Sequence, residues 1–265
     1  MKLLKLEISR ILKKSILLYL IILGLIISLV FSYFIIDSNK EEVNLFINKI
    51  PLNILKILDI SKDKFATTEG YFIFIVKIIS IIIAFYSLNQ GIWISTMDKR
   101  SNTRDFLYTK PIKRKRIIQY RVIAQCLLLF IISLFLLLIS SILYIITNKD
   151  FSILIISEIS LALFILSLAF FFFGATIGGF KNGKTPNAIV SLIIVIIFMI
   201  INITAVFLNN SFLIYINPFS LFKTTTIIET ARFTQSSIWI SLFIIVFFYN
   251  FSVSIYEANL NIKNK

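Results

Sequence analysis

Residues 71–97 read YFIFIVKIISIIIAFYSLNQGIWISTM, with Lys77 as the one charge in the run. About 20 mostly apolar residues cross roughly 30 Å of hydrocarbon at about 1.5 Å per residue. The run is long enough to span a bilayer as a helix. Its richness in Ile and Phe would also suit a strand. Transmembrane strands alternate polarity over about ten residues, however, and these residues do not alternate.

Runs of the same kind lie on both sides. They are Ser15–Ile36, Val122–Thr147, Phe151–Phe180, Asn187–Leu208 and Ile238–Tyr256. With Tyr71–Met97 they predict an all-α integral membrane protein of six transmembrane helices, one transmembrane domain over residues 1–265. The first run has a basic front, but it is too long for a signal-peptide core and no small-residue cleavage site follows. It is expected to stay as the first span.

Composition agrees. The chain has 265 residues, 58% of them hydrophobic and only 15% charged, against about 25% charged in a soluble domain. Its mean hydropathy is +0.93. There is no His and one Cys, Cys126. This excludes Ser-His triads, His-ligated zinc, Cys-cluster metal sites and intrachain disulfides. No catalytic residue and no metal site is expected.

The basic residues set the orientation, because cytoplasmic loops collect Lys and Arg. Lys2, Lys5, Arg10, Lys13 and Lys14 precede the first span. Lys99, Arg100, Arg104, Lys110, Lys113, Arg114, Lys115, Arg116 and Arg121 join the second to the third. Lys181, Lys184, Lys263 and Lys265 complete the set. With six spans all of these face one side, so both termini are expected in the cytoplasm. The net charge of +14 therefore reads as membrane orientation, with no nucleic-acid partner.

The pieces between spans carry patterns of their own. In residues 1–14, Leu4, Ile8, Ile11 and Leu12 fall within about 100° of arc, which predicts an amphipathic helix on the inner interface. Residues 37–70 have apolar residues at helical spacing on both sides of Pro51, which predicts two short outer helices. Residues 209–237 contain YINPFSLF. They are too apolar for a free loop and too short for two spans, so a re-entrant or interfacial hairpin is expected.

The inner loop, residues 98–121, follows the second span. Asp98–Tyr108 has helix-compatible spacing and Pro111 ends it. The run closely resembles the first cytoplasmic loop of type-2 ABC transporter permeases, the membrane subunits of bacterial ABC export systems. That family's pattern falls here on Asp98, Lys99, Thr103, Asp105, Phe106, Leu107, Thr109, Pro111 and Arg114, with Arg100 and Arg104 inside the same stretch. Asn102 stands where the family has Gly, and Lys113 where it has Ser or Thr. The resemblance implies a coupling helix seated in a cytosolic ABC ATPase, present in two copies that carry the ATP and Mg. It also implies a second permease copy or paralogue, and a place in the bacterial cytoplasmic membrane. The expected role is outward movement of an amphipathic peptide, antibiotic or other hydrophobic compound. A non-transporting sensor or immunity subunit on the same fold is the alternative.

Residues 178–185, GGFKNGKT, match a phosphate-binding loop. Such a loop works between a strand and a soluble helix, and here it lies between two spans. Gly174 with Gly178, and Ala175 with Gly179, read instead as small-xxx-small pairs for close helix packing. ATP hydrolysis is expected on a separate chain.

Polar residues inside the spans are the remaining candidates. Lys77 and Glu158 both lie roughly 10 Å inside the outer surface, by rise per residue. Buried charges tend to pair, so an ion pair between them is expected, with snorkelling as the alternative. Asn89, Gln90, Asn202 and Thr204 are candidates for a translocation path, since the resemblance implies that the second and fifth spans face the substrate route.

Overall fold

The computed structural model describes residues 8–9, 11–13, 16–17, 20–25, 27–28, 45, 49, 68–100, 114–147, 153–180, 186–208, 210–221, 227, 232 and 234–261. Among these, the helices described end to end are, in order, α1 Thr68–Arg100, α2 Arg114–Thr147, α3 Ile153–Phe180, α4 Asn187–Leu208, α5 Ser211–Ile216, α6 Pro218–Leu221 and α7 Gln235–Asn261. There is no strand among the described residues.

Five of the helices are long and apolar enough to cross a membrane: Phe72–Met97, Ile118–Ile142, Ile153–Phe180, Asn187–Leu208 and Gln235–Ile255. The chain thus has the make-up of a multi-pass membrane protein. The chain's 4 prolines, Pro51, Pro111, Pro186 and Pro218, all fall outside these five helices, where a missing N–H does no damage. The described part of the expected first span, between residues 16 and 28, is helical, and the rest of Ser15–Ile36 lies outside the described residues.

Helix α3 is the centre. It packs against α1, α2, α6 and α7, while α4 packs on α1. Leu88 of α1 meets Gly174 of α3 and Ile92 meets Gly178, so α1 and α3 run parallel. Ser160 donates to the Ser133 carbonyl at 2.8 Å and Phe164 packs on Phe130, so α2 runs against α3. Phe172 and Phe173 meet Tyr249 and Phe248, and Gly179 meets Ile255, so α7 runs with α3. Asn187, at the start of α4, bonds Thr96, near the end of α1, at 3.2 Å; Phe198 packs on Phe170. Helix α4 therefore runs against α1. The five long helices alternate in direction along the chain, as successive spans must.

The core is apolar where α1, α2 and α3 converge, on Ile79, Ile83, Ile94, Leu129, Ile132, Leu163 and Phe171. The outside is apolar too. On α4 the outward face carries Ile189, Leu192, Ile193, Ile196, Ile197 and Ile200, all exposed. The inward stripe is Asn187, Ser191, Val195, Asn202 and Ala205. A helix with its polar residues inward and isoleucines outward suits lipid rather than water.

The helices extend past the expected spans: α1 continues through Arg100 and α2 begins at Arg114, on the two edges of the inner loop expected over residues 98–121, and α7 covers Gln235–Asn261 around the expected span 238–256. In the N-terminal helix, Ile8 and Ile11 pack on Ala124 and Leu128 of α2. Leu12, placed on the same apolar face by spacing, is 38% exposed. The expected outer helices of residues 37–70 lie outside the described residues, apart from 45, 49 and the start of α1.

Candidate functional site

The seam between α1 and α3 is made of backbone. A Cβ at Gly91 would run into the backbone of Phe171 and Ala175, and one at Gly174 into that of Leu88. A Cβ at Gly178 would lie 2.7 Å from the Ile92 carbonyl oxygen. Ser95 Oγ donates to the Ala175 carbonyl across the same seam at 2.7 Å. The small pairs expected on α3 therefore divide their work. Gly174 and Gly178 meet α1, and Gly179 meets α7, where an added Cβ would lie 2.6 Å from Ile255 Cγ2. Gly91, which completes the seam from α1, had no partner within its own sequence to mark it.

This geometry also bears on the phosphate-loop pattern. Its first glycine, Gly178, is buried inside a helix against another helix. Residues 181–185 lie outside the described residues, and Pro186 stands directly before α4.

The C-terminal end of α1 and the N-terminal end of α2 frame the candidate coupling element. Asp98, Lys99 and Arg100 form the last turn of α1, beyond its apolar stretch, and Arg114 opens α2. Thr103, Arg104, Asp105, Phe106, Leu107, Thr109 and Pro111 lie outside the described residues.

The four candidate path residues do not share one surface. Gln90 is buried on α1 with its Oε1 unpartnered among the described residues. Asn89 is half-buried one position away, two turns before Thr96 and so on the α4 side of the helix. Asn202 lies on the inward stripe of α4. Thr204 is exposed and donates to the Ile201 carbonyl of its own helix.

Lys77 is half-buried on α1 and lines a cleft with Ser80, Ala162, Leu166, Phe219 and Ile227. Glu158 is half-buried, with a buried Oε2 that has no hydrogen-bond partner among the described residues. Ala162, one turn beyond Glu158 on α3, borders the Lys77 cleft.

The YINPFSLF run forms α5 and α6 around a junction at Asn217, which is 0% exposed. Asn217 Nδ2 donates to the Phe198 carbonyl at 2.8 Å, and its Oδ1 accepts from the Phe219 amide at 3.0 Å. Phe198 sits midway along α4, so the chain has turned back about 15 Å along that helix. Phe219 then packs on Phe170 of α3, with ring centroids 4.9 Å apart. Pro218 takes the first helical position of α6, where its lost N–H is no loss.

Among the described residues no group of three His, Cys, Asp or Glu could hold a metal ion. No family model, no curated protein and no solved structure matches the chain.

Proposed function

We propose that the chain is the membrane-spanning permease subunit of a type-2 ABC exporter in a bacterial cytoplasmic membrane. The observation that carries the reading is the run from Asp98 to Arg114, which sits between the ends of two long helices. Two cytosolic ATPase subunits would each take one such loop, and a second permease, identical or paralogous, would complete the transporter. A further span at Ser15–Ile36, making six, and cytoplasmic termini belong to this reading. So does the placing of α5 and α6 as a re-entrant hairpin within the outer half of the membrane.

The mechanism follows from the seam. Force applied to the last turn of α1 would pass to α3 through the seam, because at Gly91, Gly174 and Gly178 the two backbones touch. ATP-driven closure of the ATPase pair would thus move α1 and α3 together and open a route for an amphipathic or hydrophobic cargo.

The test is co-purification from native membranes, followed by measurement of cargo-stimulated ATP hydrolysis. An ATPase that stays bound to the wild-type chain, and is released or uncoupled by Asp98→Arg and Asp105→Arg, supports the proposal. Lys265→Glu, in the tail, should leave both unchanged. ATP hydrolysis by the purified chain alone, or full coupling after Asp105→Arg, would overturn it. Coupled hydrolysis with no net cargo movement into vesicles would select the sensor role.

A further inference from the structure

Helices α1 and α3 touch backbone to backbone at Gly91, Gly174 and Gly178, toward the C-terminal end of each. Toward their N-terminal ends they part. Val76 of α1 and Ile159 and Leu163 of α3 each border two clefts, one on either side of the contact. The first, which reaches Leu136 and Ser140 of α2, has no charged residue in its lining. The second is lined further by Lys77 and Ser80 of α1, Ala162 and Leu166 of α3, Phe219 of α6 and Ile227. Phe219 is fixed there by its bond to Asn217 and its packing on Phe170.

The walls of this second cleft are buried and apolar. Its polar part is one cation beside one hydroxyl. Ser80 gives its hydrogen to the Lys77 carbonyl at 2.7 Å. Lys77 is half-buried and takes part in an interaction of its own. An ammonium has three hydrogens, so it can hold a further acceptor. None of the lining residues is an acid. A charge inside an apolar span is costly and draws a counter-charge. The lining therefore complements an amphiphile, with an oxyanion at Lys77 and a hydrocarbon chain along α3.

Depth selects among such amphiphiles. Lys77 is the sixth residue of the span Phe72–Met97, so it sits about 7 Å along the helix from the edge of the apolar stretch. A phospholipid keeps its phosphate and glycerol at the membrane surface, with two chains below. A fatty acid has one chain and a small carboxylate, which can follow the ammonium inward.

We propose that this cleft binds a single-chain carboxylate amphiphile of the fatty-acid class, with its head on Lys77 and its chain against Ala162, Leu166 and Phe219. The site does not depend on the transport reading and stands with or without an ATPase.

Photo-crosslinking of the full chain in phosphatidylcholine vesicles tests this. The probe is a palmitate analogue with a diazirine midway along its chain, and mass spectrometry locates the labelled residues. Saturable labelling is expected at the cleft, on α3 near Ala162 and Leu166 and on α6 at Phe219. Palmitate should displace the probe, and hexadecanol should do so about tenfold less well, the worth of one charge-assisted hydrogen bond. Lys77→Met should weaken labelling by the same factor, and Lys77→Arg should keep most of it. The competition on the wild-type chain decides the matter even where a variant fails to fold. Equal displacement by hexadecanol and palmitate would overturn the proposal, since the cation would then play no part. Displacement by phosphatidylglycerol but not by palmitate would also overturn it, and would give the cleft to a bilayer lipid. So would labelling that never saturates and spreads over the outward faces of α4 and α7.

Discussion

Asn217 joins three elements through one side chain, and its removal gives the sharpest test at the residue scale. Asn217→Ala loses the bonds to the Phe198 carbonyl and the Phe219 amide. At about 1 kcal/mol for each bond, the expected loss is about 2 kcal/mol of stability in detergent unfolding. Asn217→Asp should lose more, since a carboxylate oxygen would replace the amide N–H that faces the Phe198 carbonyl. The glycines give a second test. Gly174→Val should destabilise by about 3 kcal/mol, the upper range for overpacking, because the added carbons meet the backbone of Leu88. Gly24→Ala should change little, since nothing lies within 4 Å of an added Cβ there. Equal effects at positions 24 and 174 would remove the seam from the account of the fold.

At the scale of elements, sequence and structure part in instructive places. Asn187–Leu208 is the same in both, because Pro186 sets its start and the apolar run ends at Leu208. Gly174 and Gly178 were legible as a packing pair, yet their partner was not. Gly91 is an isolated glycine, and only a second helix gives it meaning. Asn217 was equally hidden. A lone amide in an apolar run looks alike whether it faces lipid, a neighbour or a ligand, and only register separates these cases. The prediction at this scale concerns hydroxyls. Ser95→Ala deletes one bond to the Ala175 carbonyl and should cost only about 0.6 kcal/mol, the usual value for such bonds between membrane helices. A loss as large as that of Gly174→Val would mean that hydrogen bonding, not close approach, holds α1 to α3.

For the whole molecule, alternating helix directions and the placement of basic residues make a joint statement about topology. In a Cys126→Ser background, Ser38→Cys should react with an impermeant thiol reagent on intact cells. Asn182→Cys should react only after the membrane is opened. The opposite pattern would invert the topology and remove Asp98–Arg114 from the reach of any cytosolic ATPase. Removing the first 36 residues would test the sixth span from another side. Ile22 is fully buried against the main core, so the truncated chain should lose stability.

The glycine seam has a thermal consequence. Helices in lipid form before they associate, so backbone freedom at Gly91, Gly174 and Gly178 is already gone when α1 and α3 meet. Glycine has no rotamers to freeze, whereas a buried Leu or Ile gives up about 0.5–1 kcal/mol of rotamer freedom. Contact along this seam is therefore nearly free of an entropic penalty. As temperature rises and rotamer-rich contacts weaken, α1 and α3 should be the last pair to come apart.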